Sequence, residues 1–306
     1  MAFDRLVIAI AAGTALAPLV MAAQTAPAPD EEIVVTGERL TPAQARERAV
    51  AYVQHTGIVA GKDAVARWVD KVCPRALGLS AEHARIVEAR FRVIAASVGA
   101  TTAPEQCVAN VMINFVGDGA AFASQVATSD PRRVAEVSAA HRVALLTGKA
   151  PIRWWYRTEV RSRHGARMVD MVPSFVSVDG QNAGPAFPTA DDTGTMTQYS
   201  SSNLSTQVNR ALVHATVVVD TTRATGRTLD AVAAYAAFVA LAEIIPRDEP
   251  LQGSILGLFG GDMVHTSLSK LDTTFLRELY KLALDRKARQ QRTRLVRALQ
   301  NEQSTF

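Results

Sequence analysis

TLDAVAAYAAFVALAEII, residues 228–245, decides how the rest of this chain is read. Thr228 has the side chain of a helix N-cap, and the run behind it carries Ala, Val, Tyr and Phe around nearly its whole circumference. A helix apolar on every side must be covered on more than one side, so residues 229–245 are expected to form a central core helix. Pro246 and Pro250 end it. The most apolar part, residues 231–245, is shorter than the roughly 20 residues a membrane span needs, and it contains Glu243.

The segments before this helix read as strands. Residues 208–220 form a long one, with Val213, Ala215, Val217 and Val219 on one face. Residues 152–161 and 166–178 flank Ser162-Arg163-His164-Gly165, a sequence suited to a hairpin turn. Residues 180–200, rich in Gly, Pro, Asp, Ser and Thr, read as an exposed loop. The fold expected from these segments is α+β, an antiparallel sheet packed on the buried core helix.

The earlier part of the chain is mainly helical. Thr41-Pro42-Ala43-Gln44 combines a capping threonine, a first-turn proline and a glutamine at the third helical position. A helix over 42–56 follows and stops at Gly57. Ser80 opens another, with Ile86, Val87, Phe91, Ile94, Ala95 and Val98 at helical spacing. Residues 108–115 alternate as a strand, and short helices are expected over 119–127 and from Asp130-Pro131 to about 139. Beyond the core helix, residues 269–284 repeat Leu271, Phe275, Leu279 and Leu282 at helical spacing.

Residues 6–17 are continuously apolar or small and follow a start that carries Arg5, the pattern of an export signal. Val20 and Ala22 suit the third and first positions before a cleavage point, placed after Ala22 with Ala23 as the alternative. No cysteine lies there to accept a lipid. The expected division is a signal peptide (1–22), a flexible Ala/Pro/acidic tether (23–40), a helical N-terminal region (41–150), a sheet and core-helix region (151–284) and a basic helical tail (285–306). The mature protein is expected to be periplasmic or secreted, with no transmembrane segment.

Composition agrees with a globular exported protein: 48% hydrophobic residues, 20% charged and two cysteines. An oxidising compartment favours pairing Cys73 with Cys107, worth roughly 3–4 kcal/mol on the chain-entropy account. No CxxC and no neighbouring histidine supports a catalytic thiol or a metal at either. The net charge of +4 is local, since residues 281–300 hold seven basic side chains against the single acid Asp285. The rest of the chain is therefore slightly acidic, which argues against a nucleic-acid surface. It leaves the tail free to touch anionic lipid.

No chemistry-bearing motif stands out. Gly-x-Ser-x-Gly, the phosphate loop and the dinucleotide turn are absent. Ser267-Leu268-Ser269-Lys270 matches Ser-x-x-Lys, but Ser269 better serves as the cap of the next helix. The six histidines, at 55, 83, 141, 164, 214 and 265, include no pair three or four apart, and Asp191-Asp192 reads as a solvated turn. No catalytic residue, metal ligand or cofactor is assigned. The binding candidate is Arg153-Trp154-Trp155-Tyr156-Arg157, where neighbouring strand residues face opposite ways. Arg153, Trp154, Trp155 and Arg157 make either a strand covered on both faces or an aromatic and arginine platform for a partner.

The order of strand ending Val217-Val218-Val219-Asp220, alanine-rich helix, Ser254-Ile255-Leu256-Gly257-Leu258-Phe259, and then the segment from Leu271 to Tyr280 resembles uncharacterised exported proteins of Gram-negative bacteria. It is similar, more distantly, to zincin-like secreted proteins over residues 205–283. Those carry HExxH on the core helix. Here that helix has no histidine, so the resemblance implies a scaffold without its metal site. Separately, Ile33-Val34-Val35-Thr36-Gly37-Glu38-Arg39 resembles the opening of the plug of TonB-dependent receptors, but the chain is too short for their barrel of roughly 22 strands.

The function expected is binding, without catalysis, of an unidentified protein or an envelope polymer; a periplasmic hydrolase with an unrecognised site is the alternative. The surroundings of Tyr235, Glu243, Trp154 and Trp155 discriminate between them: a polar cleft favours chemistry, a dry core disfavours it.

Overall fold

Thr41 opens the first helix as its sequence indicates. In the computed structural model its hydroxyl accepts from the Gln44 N–H while the Gln44 side chain takes the Thr41 N–H, closing a capping box. The structure describes residues 40–58, 63–162, 206, 208–247, 249–260 and 266–304, all within one of the chain's two units, Arg39–Phe306. The export run, most of the tether, the second arm of the expected hairpin and the loop 180–200 lie outside the described residues.

Helix α1 (Pro42–Thr56) is followed by two short strands, β1 (Ala66–Trp68) and β2 (Pro74–Leu77), and by α2 (Ala81–Val98). Strand β3 (Val111–Val116), helices α3 (Gly119–Ser129) and α4 (Ala139–Thr147), and strands β4 (Ile152–Ser162) and β5 (Val208–Asp220) come next. Helices α5 (Leu229–Leu241), α6 (Lys270–Tyr280) and α7 (Ala288–Ser304) complete the unit. Ser80, Ser138, Thr228 and Ser269 each cap the helix that follows with a side-chain oxygen.

Strand β5 is the hub of the sheet. It runs parallel to β1 through residues 210–212 and parallel to β3 through residues 215–220, and antiparallel to β4 along nearly its whole length. The β1 and β3 contacts do not overlap while β4 spans both, so β1 and β3 share one edge of β5 and β4 takes the other. Strand β2 adds outside β3, also parallel.

This topology corrects the expected α+β fold, in which an antiparallel sheet packed on the core helix in a degenerate zincin-like arrangement. The sheet is mostly parallel and the fold is α/β. The physical reason lies in β1 and β2, three and four residues long, too short to show any alternation. With α2 between them, β2 and β3 form a β–α–β unit, and such a crossover makes neighbouring strands parallel. At the end of β2 the backbone passes so close to β3 that a Cβ on Gly78 would lie 2.0 Å from the Phe115 carbonyl oxygen, and Gly78 has φ +83°.

Both faces of the sheet are covered. One packs Ile113, Ile152, Trp154, Ala215, Val217 and Val219 under α1, α2, α5, α6 and α7. The other packs Trp155 and Val218 under α3 and α4. A register shift between Arg157 and Thr158 pairs them with His214 and Leu212, which leaves Val213 as the extra residue of a bulge. Leu212 thereby joins Ala215, Val217 and Val219 on the inner face in place of Val213.

Helix α5 is buried at eleven consecutive positions, residues 231–241. It ends at Leu241, four residues before the expected end, and three aromatic donors satisfy its last carbonyls: Tyr156 Oη bonds Val239 O at 2.5 Å, Trp68 Nε1 bonds Ala240 O at 2.7 Å and Tyr280 Oη bonds Leu241 O at 2.9 Å. A helix terminus inside a core requires such partners. Two of the segments quoted for the family resemblance, 254–259 and 271–280, meet at Asp272, which is fully buried. Its carboxylate accepts from Tyr52 Oη and Ser254 Oγ at 2.5 Å each, from Ile255 N at 2.7 Å and from Ser269 N at 2.9 Å, tying α1, the 254–257 turn and α6 together. Burial first, and then this carboxylate, push the Tyr52 phenol well above its usual range.

Cys73, just before β2, is bonded to Cys107, in the loop before β3, with the two Cα atoms 6.1 Å apart. Among the described residues no helix is long and apolar enough to cross a membrane.

Candidate functional site

A concavity of about 880 Å³ runs along the outer edge of β4. Nine consecutive residues, 148–156, line it, the last five of them in β4. Because strand side chains alternate between faces, continuous lining marks contact with the strand's edge rather than with either face. The backbone pattern identifies which groups are exposed there. Ala215 N donates to Asn110 O on the β3 side, and Asp220 N donates to Pro151 O on the β4 side. Alternation then directs the peptide groups of Arg153 and Trp155 toward β5, and those of Ile152, Trp154 and Tyr156 outward into the groove. Among the described residues, no backbone group bonds these three on their outer side. Further along, the Glu136 carboxylate takes both the N–H and the hydroxyl of Thr158, at 2.9 and 2.8 Å, and so closes the edge.

The two walls come from the two helical layers. On the inner side, Trp154, Tyr235 and Phe259 form a row of edge-to-face rings with centroids 6.0 and 5.7 Å apart. Trp154 Nε1 donates to Ile244 O at 2.8 Å, and Tyr156 Oη accepts from Ile244 N at 3.1 Å, so the chain leaving α5 is pinned beside β4. The outer side is built from Val137, Ser138, His141, Leu145 and Lys149.

Arg210 and Glu243 form a forked pair, with N···O distances of 2.9 and 2.7 Å. Burial raises the Glu243 carboxyl above its ordinary range, and Arg210 offsets only part of that. With both oxygens engaged by one guanidinium, this carboxylate serves as a wall anchor.

Ser138 Oγ lies 2.9 Å from His141 Nδ1, a nucleophile-and-base spacing. The same pair occurs at Ser80 and His83, at 3.0 Å, on the N-terminus of α2, which does not line the groove. In both places the serine is the N-cap and the histidine the third helical residue. The geometry is therefore a capping motif, and Ser138 is no better placed for chemistry than Ser80. Ser269 likewise caps α6, in a capping box with Asp272.

Of the residues singled out from the sequence, Arg153, Trp154 and Trp155 line the groove and Arg157 does not. Trp154 and Trp155 are 7% and 3% exposed and bury their rings on opposite faces of β4. Arg153 is buried, bonding the carbonyls of Gly148 and Ala150. Arg157 is exposed beside His214 on the neighbouring strand. Tyr235 and Glu243 belong to the same groove as the two tryptophans. The signal for Glu243 is a lone acid in an apolar run; nothing local marks Glu136, Arg210 or Phe259, which reach the site from three separate segments. His164, His265, Asp191 and Asp192 lie outside the described residues, and among the described ones no group of three His, Cys, Asp or Glu side chains could hold a metal. Family models, curated proteins and solved structures give no match to this chain.

Proposed function

We propose that this is an exported binding protein that takes an extended polypeptide segment as an added strand on β4. The observation that carries the reading is the floor of the groove, where the peptide groups of Ile152, Trp154 and Tyr156 are directed outward between two walls. A free strand edge is a template for another strand, with main-chain bonds supplying affinity and flanking pockets supplying preference for alternate side chains. The five β4 residues that line the groove cover about 16 Å, enough for a ligand of about five residues. The aromatic row suits an apolar side chain on one wall, and Glu136, His141 and Lys149 suit polar ones on the other. A glycan would use the rings but would leave the row of peptide donors and acceptors unmatched. The Cys73–Cys107 bond supports an extracytoplasmic location.

The test selects from a library of unstructured eight-residue peptides on the purified protein and follows backbone amide exchange. Binding is expected to slow exchange at Ile152, Trp154 and Tyr156, and peptides N-methylated at alternate residues are expected to lose affinity at least tenfold. If those three amides are already as protected in the free protein as Arg153 and Trp155, the edge is occupied and the reading fails. Undiminished binding of the methylated peptides overturns it as well.

A further inference from the structure

Helix α7 carries a second surface, unconnected with the groove. Its buried residues are Ala288, Gln291, Leu295 and Leu299, which pack against the body of the protein. At about 100° per residue these fall within an arc of about 80°, and Arg289, Arg294 and Arg297 fall on the opposite side of the helix, with Lys287 just ahead of its first turn. Together with Gln290 and Thr293 these four line a shallow depression of about 570 Å³. All four are exposed. No ion pair engages them among the described residues, whereas Lys270, Arg277 and Lys281 on or beside α6 are matched to Glu302 or Glu278.

We infer that this face docks the protein on a membrane surface rich in anionic phospholipid. Three features favour that partner. The three arginines lie on the outward face of a surface helix, over about 12 Å of its axis, which suits a flat array of phosphates. The apolar side of α7 is already used inside the protein, so the contact is electrostatic and needs no insertion. The charge is also polarised: residues 281–300 carry seven basic side chains against Asp285, in a chain whose net charge is only +4. An anionic surface therefore attracts α7 and repels the remainder, orienting the molecule with this helix toward the lipid.

Vesicles of phosphatidylcholine containing 30% phosphatidylglycerol, and vesicles of phosphatidylcholine alone, are the probes. Sedimentation with vesicles at low salt is expected for the first and not the second. Each basic side chain near such a surface is worth roughly fivefold in binding, so the triple variant Arg289→Gln/Arg294→Gln/Arg297→Gln should bind about a hundredfold more weakly. Its thermal unfolding should match the parent, because the three side chains are exposed. Raising salt to 0.5 M should release the protein. Equal binding to the uncharged vesicles, indifference to the triple substitution, or tighter binding to duplex DNA than to the anionic vesicles at the same salt each overturns the proposal. The peptide-binding groove has no part in this experiment, so either reading can fail without the other.

Discussion

Replacing Asp272 by alanine removes the one acceptor that holds three parts of the core together. The carboxylate is 0% exposed and takes two hydroxyl donors and two peptide N–H donors. After truncation the Tyr52 and Ser254 hydroxyls can rotate toward other acceptors, but the N–H groups of Ile255 and Ser269 are fixed by the backbone. An orphaned buried donor costs about 1–3 kcal/mol. Two of them, with the packing lost around the missing side chain, bring the expected destabilisation to about 4 kcal/mol, a large share of the roughly 5–15 kcal/mol that holds a domain folded. The substitution Asp272→Asn should be milder, at about 1–2 kcal/mol: the amide oxygen can keep the two N–H groups while the amide nitrogen donates to the two hydroxyl oxygens. The assay is urea unfolding followed by fluorescence, since Trp68, Trp154 and Trp155 are all buried and report on the core. A loss below about 1 kcal/mol for Asp272→Ala would refute the reasoning. So would equal losses for the two variants, because acceptor geometry would then not be what the site requires.

Serine at both Cys73 and Cys107, whose bond closes a separation of 34 residues, should lower the unfolding free energy by roughly 3–4 kcal/mol, read from the same urea curves. Trp68→Phe keeps most of the buried ring but leaves the Ala240 carbonyl without its donor, for an expected loss of about 1–3 kcal/mol in thermal or urea unfolding. His214 is held below its usual value of 6.5, by burial first and then by Arg133 and Arg157. Its contribution to stability is therefore present above pH 6.5 and lost as pH falls through the folded value. Melting temperatures at pH 7.5 and 5.5 should show the decline, and His214→Gln should make it shallower without abolishing it, because His55 is shifted in the same direction by burial and Arg247.

The helices are legible where a cap and a period agree. Thr41 with Gln44, Ser80, Thr228 and Ser269 each mark a helix start in sequence and occupy the cap in the structure. The all-round burial of residues 231–241 can be read from composition alone. Strand pairing is less accessible. Ala66–Trp68 and Pro74–Leu77 are too short to leave a period, and the partner of each lies across a helix or nearly half the chain away. Strict alternation assigns Val213 to the inner face, and a bulge breaks that alternation without any local mark. In the site, Trp154, Trp155, Tyr235 and Glu243 are conspicuous as residue types, whereas Glu136 and Arg210 owe their importance to what they touch, Thr158 and Glu243 respectively.

The position of β5 as common neighbour of three strands has a consequence for the order in which the protein assembles. Among the described residues, β1 and β4 have β5 as their only sheet partner, and β3 needs it on one side. Of the described sheet, a chain emerging from its N-terminus can therefore pair only β2 with β3 until residue 208 and those after it appear. Before that point β1 and β4 have no ladder to join, and the apolar faces awaiting α5 stay uncovered. Closure depends on contacts far apart in sequence, which form slowly. Fragments ending before Val208 lack the strand around which the sheet is organised, so the sheet closes only when the last third of the chain is present.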